Sequence, residues 1–298
     1  MIRSLRYVAL GVVLLSAACA STPGSSPPLS GAPRPLTLTP GAHVNIGIVT
    51  DHPGFSLVEQ GNPSGNDGFD LQLADWLLRE LKIEKENVPI SLKERVSKLR
   101  QREVSPGGVS MVVATFSMTD DRRKLVDFVG PYLITKQGVM VRADNSTIKD
   151  VDDLKNTGKN VCTIAETTGN DKLKKAETSG SNIFVTTKPS LKDCMESLID
   201  GDVEAVSTDQ IVLYGFAQSK TYKDHVKVLS DISFGDEENY GIGIPNNSHA
   251  DCEVIKEKLE KFLNDEWKSF FDDNFPDIPN SDYINYRPTK TDECENGT

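Results

Sequence analysis

The sequence is short of positive charge. It sets 33 Lys and Arg against 44 Asp and Glu, a formal net charge of −11 over 298 residues. No basic footprint of the kind a phosphate backbone requires is present, which argues against a nucleic-acid partner. The acidity still leaves room for a local basic pocket that takes a small anion. Long apolar runs are also missing. The N-terminal run VALGVVLLSAA at 8–18 is shorter than the roughly 20 residues that span a bilayer, and no transmembrane pattern follows it. There is no CxxC and the 4 His are scattered, so a structural zinc site is disfavoured. What remains is ordinary globular composition, 37% hydrophobic and 26% charged, enough for one large domain or two lobes.

The N-terminus reads as an export signal: Arg3 and Arg6, then the apolar run, then small residues. The run ends SAAC, and small residues before Cys19 resemble the lipobox of bacterial lipoproteins, although Ser16 stands where Leu is commoner. The resemblance implies a signal peptide over 1–18, lipidation of Cys19, and a chain held at the extracellular face of the cell membrane. A plain secreted protein is the alternative. The stretch 21–41 holds six prolines and almost no large apolar side chain, so 19–43 is expected to be a solvated, extended linker.

Cys162, Cys194, Cys252 and Cys294 form an even set for an oxidising compartment. Of three possible pairings, Cys162–Cys194 and Cys252–Cys294 is the local one.

The remainder alternates strand-like and helix-like runs, which predicts an α/β fold with parallel sheets. Phe69, Leu73, Leu77 and Leu81 fall four apart and predict a helix over 68–82, with Asp70, Asp75 and Arg79 solvated. VDFVGPYL (126–133) and QGVMVRAD (137–144) read as separate strands, as do KVLSD (227–231) and YGIGIP (240–245). The most informative stretch is 114–127, ATFSMTDDRRKLVD. An apolar run leads to hydroxyls at Thr115, Ser117 and Thr119, with Arg122 three residues past an expected N-cap at Thr119. Hydroxyls, free N–H groups and a guanidinium make a site for a carboxylate. KNVCTIAETTG (159–169) repeats the logic with Thr167 and Thr168, and Asp209 sits in an acidic turn between strand and helix. Each of these residues could equally be an ordinary helix cap.

GFDLQLADWL, SMTDDRRKLVDFVGPYL, DDLKNTGKNVCT and LIDGDVEAVSTD occur in this order. Together they resemble the extracellular solute-binding proteins, family 3, of ABC transporters for polar amino acids, over most of 44–275. The DHPGF turn (51–55) and the placing of Cys162 and Cys194 resemble the glutamate-binding branch of high-GC Gram-positive bacteria. The resemblance implies a two-lobe, type II periplasmic-binding-protein-like fold. Lobe one would be 44–137 with 235–298 and lobe two 138–234, with crossovers near 137–142 and 233–240. It implies a monomeric receptor, not an enzyme, without cofactor or metal, that hands an amino acid, glutamate first, to an ABC permease. By position it assigns Arg122, Thr115 and Ser117 to the ligand α-carboxylate, Thr168 and Thr167 to further donors, Asp209 to the α-ammonium, and His52 or Phe55 to an aromatic wall. Arg123, Lys136 and Arg142 are candidates for a side-chain carboxylate. Glu166 replaces the usual Gly before the Thr pair. The alternatives are a ligand-sensing subunit for a membrane signalling partner and a dehydratase-like enzyme using Glu166 as general acid.

Overall fold

The computed structural model describes residues 37–57, 67–101, 108–156 and 158–294. The expected signal peptide, the expected lipidation site at Cys19 and most of the expected linker lie outside them. Among the described residues no helix is long and apolar enough to cross a membrane.

In chain order the elements are β1 (His43–Ile48), β2 (Asp51–His52), β3 (Ser56–Leu57), α1 (Phe69–Glu80), β4 (Glu84–Pro89), α2 (Arg95–Gln101), β5 (Met111–Val112), α3 (Asp120–Arg123) and β6 (Asp127–Arg142). They continue with α4 (Val151–Asn156), β7 (Lys159–Ile164), α5 (Thr168–Thr178), β8 (Ile183–Lys188), α6 (Leu191–Asp200), β9 (Ala205–Asp209), α7 (Gln210–Gln218), β10 (Val226–Ile244), α8 (His249–Asp265) and α9 (Trp267–Asn274). The main sheet runs β4-β1-β5-β10-β6-β9-β7-β8. Pairing is parallel at either end, β1 with β4 and β5, β7 with β8 and β9, and antiparallel where β10 meets β5 and β6 and where β6 meets β9.

The two long central strands make this a two-lobe fold. At one end β10 pairs with β5 through Gly243 and Val112; at the other, β6 pairs with β9 from Gln137 to Met140. Between them the register slips from Phe234↔Gln137 to Glu238↔Thr135. The expected break at Gly130 and Pro131 is absent: one 16-residue strand runs through it. Pro131 falls in a register shift between Tyr240 and Ile242, where its missing N–H interrupts no ladder bond. The strand-like runs at 227–231 and 240–245 are likewise one 19-residue strand.

The core confirms the period-four face of α1 and adds to it. Phe69, Leu73 and Leu77 are buried, and so are Leu71, Trp76 and Leu78 on the other sides, because α8 and α9 close over the helix through Phe69–Phe262, Trp76–Phe262 and Phe69–Trp267 ring contacts. The same enclosure overturns the solvated placement of Asp70, which is fully buried. The linker also ends sooner than expected. Thr37 and Leu38 donate backbone N–H bonds to Asp251 Oδ1 at 2.8 and 2.9 Å, and Leu38 is buried. Both expected disulfides are present, Cys162–Cys194 and Cys252–Cys294.

Candidate functional site

The site is assembled from strand ends and helix starts of both lobes. Beyond β5 the chain turns at Thr115, whose φ of 42° is left-handed, a costly conformation for a β-branched residue (roughly 1–3 kcal/mol). Its peptide groups are held from both sides. Thr115 N–H donates to Asp70 Oδ2 at 2.8 Å, and Arg95 Nη1 donates to the Thr115 carbonyl at 2.6 Å. Asp70 also accepts from Tyr132 Oη at 2.7 Å. Burial pushes the Asp70 carboxyl up to about 6 from 3.8, against the pull of those two bonds.

The next residues lie against β10. Ser117 forms a bridge with Tyr240, Met118 N–H donates to the Asn239 carbonyl at 2.8 Å, and Gly241 N–H donates to the Phe116 carbonyl at 3.0 Å. Thr119 caps α3 as expected, accepting from Arg122 N–H at 3.3 Å. Arg122 Nη1 donates to the Ser117 carbonyl at 2.8 Å, which turns the guanidinium back over the loop. Burial lowers its pKa, opposed by Glu238 and Asp209.

From the other lobe, Thr167 caps α5, accepting from Asn170 N–H at 3.2 Å, and aims the start of the helix at the cleft. A Cβ on Gly169 would lie 2.6 Å from Gln137 Oε1, so the bare backbone lets α5 start close against that side chain. Asp209 occupies the N-cap position of α7 but makes no cap bond. Its two oxygens accept instead from Gln137 Nε2 and Tyr240 Oη. Burial, then the nearby Glu238, push the Asp209 carboxyl up to about 6 from 3.8, while the Tyr240 bond pulls it down.

One narrow cavity collects His52, Arg95, Thr115, Ser117, Thr167, Thr168, Gly169 and Asp209. Six of the expected ligand residues are therefore brought together. Arg122 is not in that lining but lies close enough to Arg95 for the two guanidiniums to oppose each other's charge, and both stand over the Phe116 ring, at 5.2 and 4.8 Å from its centroid. His52 is buried rather than a surface turn residue, edge-on to Phe216 at 6.2 Å. Phe55 is not a cleft wall. It packs in the core against Phe275 at 5.1 Å and Tyr240 at 6.0 Å, fully buried.

None of the three side-chain carboxylate candidates reaches the cavity. Arg123 pairs with Asp292, Lys136 is exposed, and Arg142 donates to the carbonyls of Leu198 and Val203 at the end of α6. The cation that does line it is Arg95, which the sequence reading passed over as one charge among many. Burial, then Arg122, lowers its pKa to about 9 from 12.5. The available signal was its place four residues before Leu99, on the buried face of α2. Glu166 has a φ of 60°, the conformation that the usual Gly would serve, and lines a wider cavity at the cleft mouth with His52 and Leu92.

Residues 44–275 match the bacterial extracellular solute-binding proteins, family 3. The chain belongs to that family. The glutamate-binding protein GluB of Corynebacterium glutamicum is 28% identical over 261 residues, covering 86% of this chain and 85% of that protein. The ABC transporter glutamine-binding protein GlnH of Bacillus subtilis is 28% identical over 268 residues, covering 88% and 92%. Among solved structures, an ancestral arginine-binding protein bound to arginine has a TM-score of 0.67 at 24% identity, over 78% of this chain and 98% of that one. Relatives in the family thus carry the names of amino-acid-binding proteins, and the solved structure matches the fold seen here.

Proposed function

We propose that this chain is a receptor for a dicarboxylic amino acid, glutamate first, which closes on its ligand and delivers it to an ABC permease. The observation that carries the ligand class is the charge at the cavity: Arg95 in its lining, Arg122 close behind, and one lining carboxylate, Asp209. Glutamate at neutral pH carries two carboxylates and one ammonium, the complement of that set. The α-carboxylate goes to Arg122 with Thr115, Ser117 and the start of α5. The ammonium goes to Asp209. The side-chain carboxylate goes to Arg95, whose bonds to Leu92, Ala114 and Thr115 carbonyls engage Nε and Nη1 and leave Nη2 for the ligand. Lobe one is 44–137 with 235–298, lobe two is 138–234, and closure about the two crossover strands completes the site. Export with lipidation at Cys19 would hold the receptor, as a monomer, at the extracellular face of the membrane.

The test is a thermal-shift panel of the twenty amino acids on the folded domain. A ligand at 100 times its Kd stabilises by about 2.7 kcal/mol, so glutamate is expected to raise Tm by several degrees and glutamine by less. Arg95→Gln should cut glutamate affinity about 10- to 100-fold relative to glutamine, the loss of a charge-assisted bond. A panel in which glutamine outranks glutamate, with that order unchanged in Arg95→Gln, would remove the dicarboxylate reading.

A further inference from the structure

We infer that Gln137 and Tyr240, one on each crossover strand, are positioning residues that hold Asp209 as a fixed, charged acceptor for the ligand's ammonium group. The inference rests on the reading of Asp209 as the ammonium partner and adds residues that need not touch the ligand.

An Asp at a helix N-cap ordinarily spends its carboxylate on its own helix. Asp209 does not. Its oxygens are taken by two donors, Gln137 Nε2 on β6 and Tyr240 Oη on β10. The direction of the Gln137 amide is informative. Its nitrogen faces Asp209, so with Tyr240 it offers one donor to each carboxylate oxygen. A carboxylate has about four lone-pair sites, so one bond to each oxygen leaves room for an ammonium.

Tyr240 does more than donate. Its backbone bridges Ser117, and its neighbours Asn239 and Gly241 bond Met118 and Phe116. One residue therefore anchors the loop that presents the carboxylate-binding groups and, through its hydroxyl, the acceptor for the ammonium. The separation of the two poles of the site is set through Tyr240. The ring cannot shift, being fully buried between Phe55 and Tyr132 at 6.0 and 6.1 Å.

The charges around Asp209 come from several elements. Glu238 on β10 opposes its ionisation. Lys172 on α5 favours it and lies 2.6 Å from Glu238 Oε1, an ion pair without hydrogen-bond geometry. Arg122 on α3 and Arg95 on α2 face it as cations, and His52 lines the same cavity. Ammonium binding needs Asp209 ionised, so affinity should fall as pH drops through about 6. Removing a donor should move that fall to higher pH, and removing Glu238's charge should move it lower.

The experiment is calorimetric titration of the folded domain with L-glutamate, and with glutarate as the ligand lacking the ammonium, from pH 5 to 9. Tyr240→Phe is expected to weaken glutamate about tenfold at pH 7, to weaken glutarate much less, and to raise the pH of half-maximal affinity. Glu238→Gln is expected to lower that pH. Equal weakening of both ligands by Tyr240→Phe, or an unmoved pH profile in both variants, would overturn the inference. If Tyr240→Phe does not fold, Gln137→Leu decides: it is expected to weaken glutamate more than glutarate and to raise the same pH, and equal weakening with an unmoved profile would overturn the inference. A wild-type chain that binds no amino acid would instead overturn the receptor reading itself, a result distinct from a binding wild type with indifferent variants.

Discussion

At the scale of single residues, the site is built on polar groups that the core has to accommodate. Asp70 is the clearest. Its folded-state pKa is raised from 3.8 to about 6. A raised carboxylate pKa favours the fold fully at pH below the unfolded value, and the contribution is lost as pH climbs through about 6. At neutral pH the buried charge therefore costs on the order of 3 kcal/mol relative to acid, the opposite sign to an ordinary salt-bridged Asp. Asp70→Asn should flatten the stability–pH curve between about pH 4 and 6, read from urea melts across that range. Asp209 contributes a slope of the same sign, so roughly half the wild-type slope should persist. Asp70→Leu leaves the Thr115 N–H and Tyr132 hydroxyl unpaired and should cost about 1–3 kcal/mol per orphaned group. Thr115, Ser117, Thr168 and Asp209 were picked out by their places in the family pattern, since hydroxyls and a carboxylate at strand–helix junctions serve equally well as caps, and the structure gathers them around one cavity. Arg95 was not picked out, because its one local signal, the four-residue spacing to Leu99, is slight on a segment that also carries Lys93, Lys98 and Arg100.

At the scale of elements, the helices were readable and the long strands were not. α1 and α6 carry apolar periodicity, and the α6 cap at Ser190 is a capping box with Asp193. Register shifts interrupt the pairing of β6 with β10, so no single alternation runs the length of either strand. β4 carries little strand signal over most of its length for a related reason. It is an edge strand whose sequence EKENVP is mostly charged and polar, with no fully buried residue. The packing of α7 gives a test at this scale. A Cβ on Gly215 would lie 2.0 Å from the Pro53 carbonyl oxygen, so helix and turn meet backbone to backbone. Gly215→Ala should cost about 1–3 kcal/mol or more and weaken ligand binding, since α7 carries Asp209 at its start. Gly180→Ala, with nothing within 4 Å, serves as the control and should cost about 1 kcal/mol for its φ of 95° while leaving affinity unchanged. Thermal melts and titrations of both variants check the contrast.

At the scale of the whole molecule, the chain runs past the family match at 275 into a tail that is fastened at several points. Cys294 is bonded to Cys252 on α8, Tyr286 accepts from Ile134 N–H on β6 at 2.9 Å, and its hydroxyl donates to Gln210 on α7 at 3.1 Å. The tail therefore links α8 to β6 and to the start of α7. Disulfides closing loops with separations of 32 and 42 should each contribute roughly 4 kcal/mol in the chain-entropy account. The Cys252→Ser/Cys294→Ser variant should melt well below wild type, and wild type in reductant should approach a variant lacking both bridges, by calorimetry at matched pH.

What the sequence by itself determined is local chemistry and its order: the export-signal composition, the even cysteine set, the caps at Thr119 and Thr167, and a family pattern strong enough to imply two lobes. These follow from neighbours within a few residues or from motifs kept in register. What only the tertiary structure decided is which charges face one another. Arg95 from α2, Asp70 from α1 and Tyr240 from β10 meet around Thr115, Ser117 and Asp209 because a sheet brings distant segments within hydrogen-bond range. No local periodicity records that approach. Burial then decides the rest, since the same carboxylate that would be solvated on an exposed helix becomes, inside the fold, the group that pins the site.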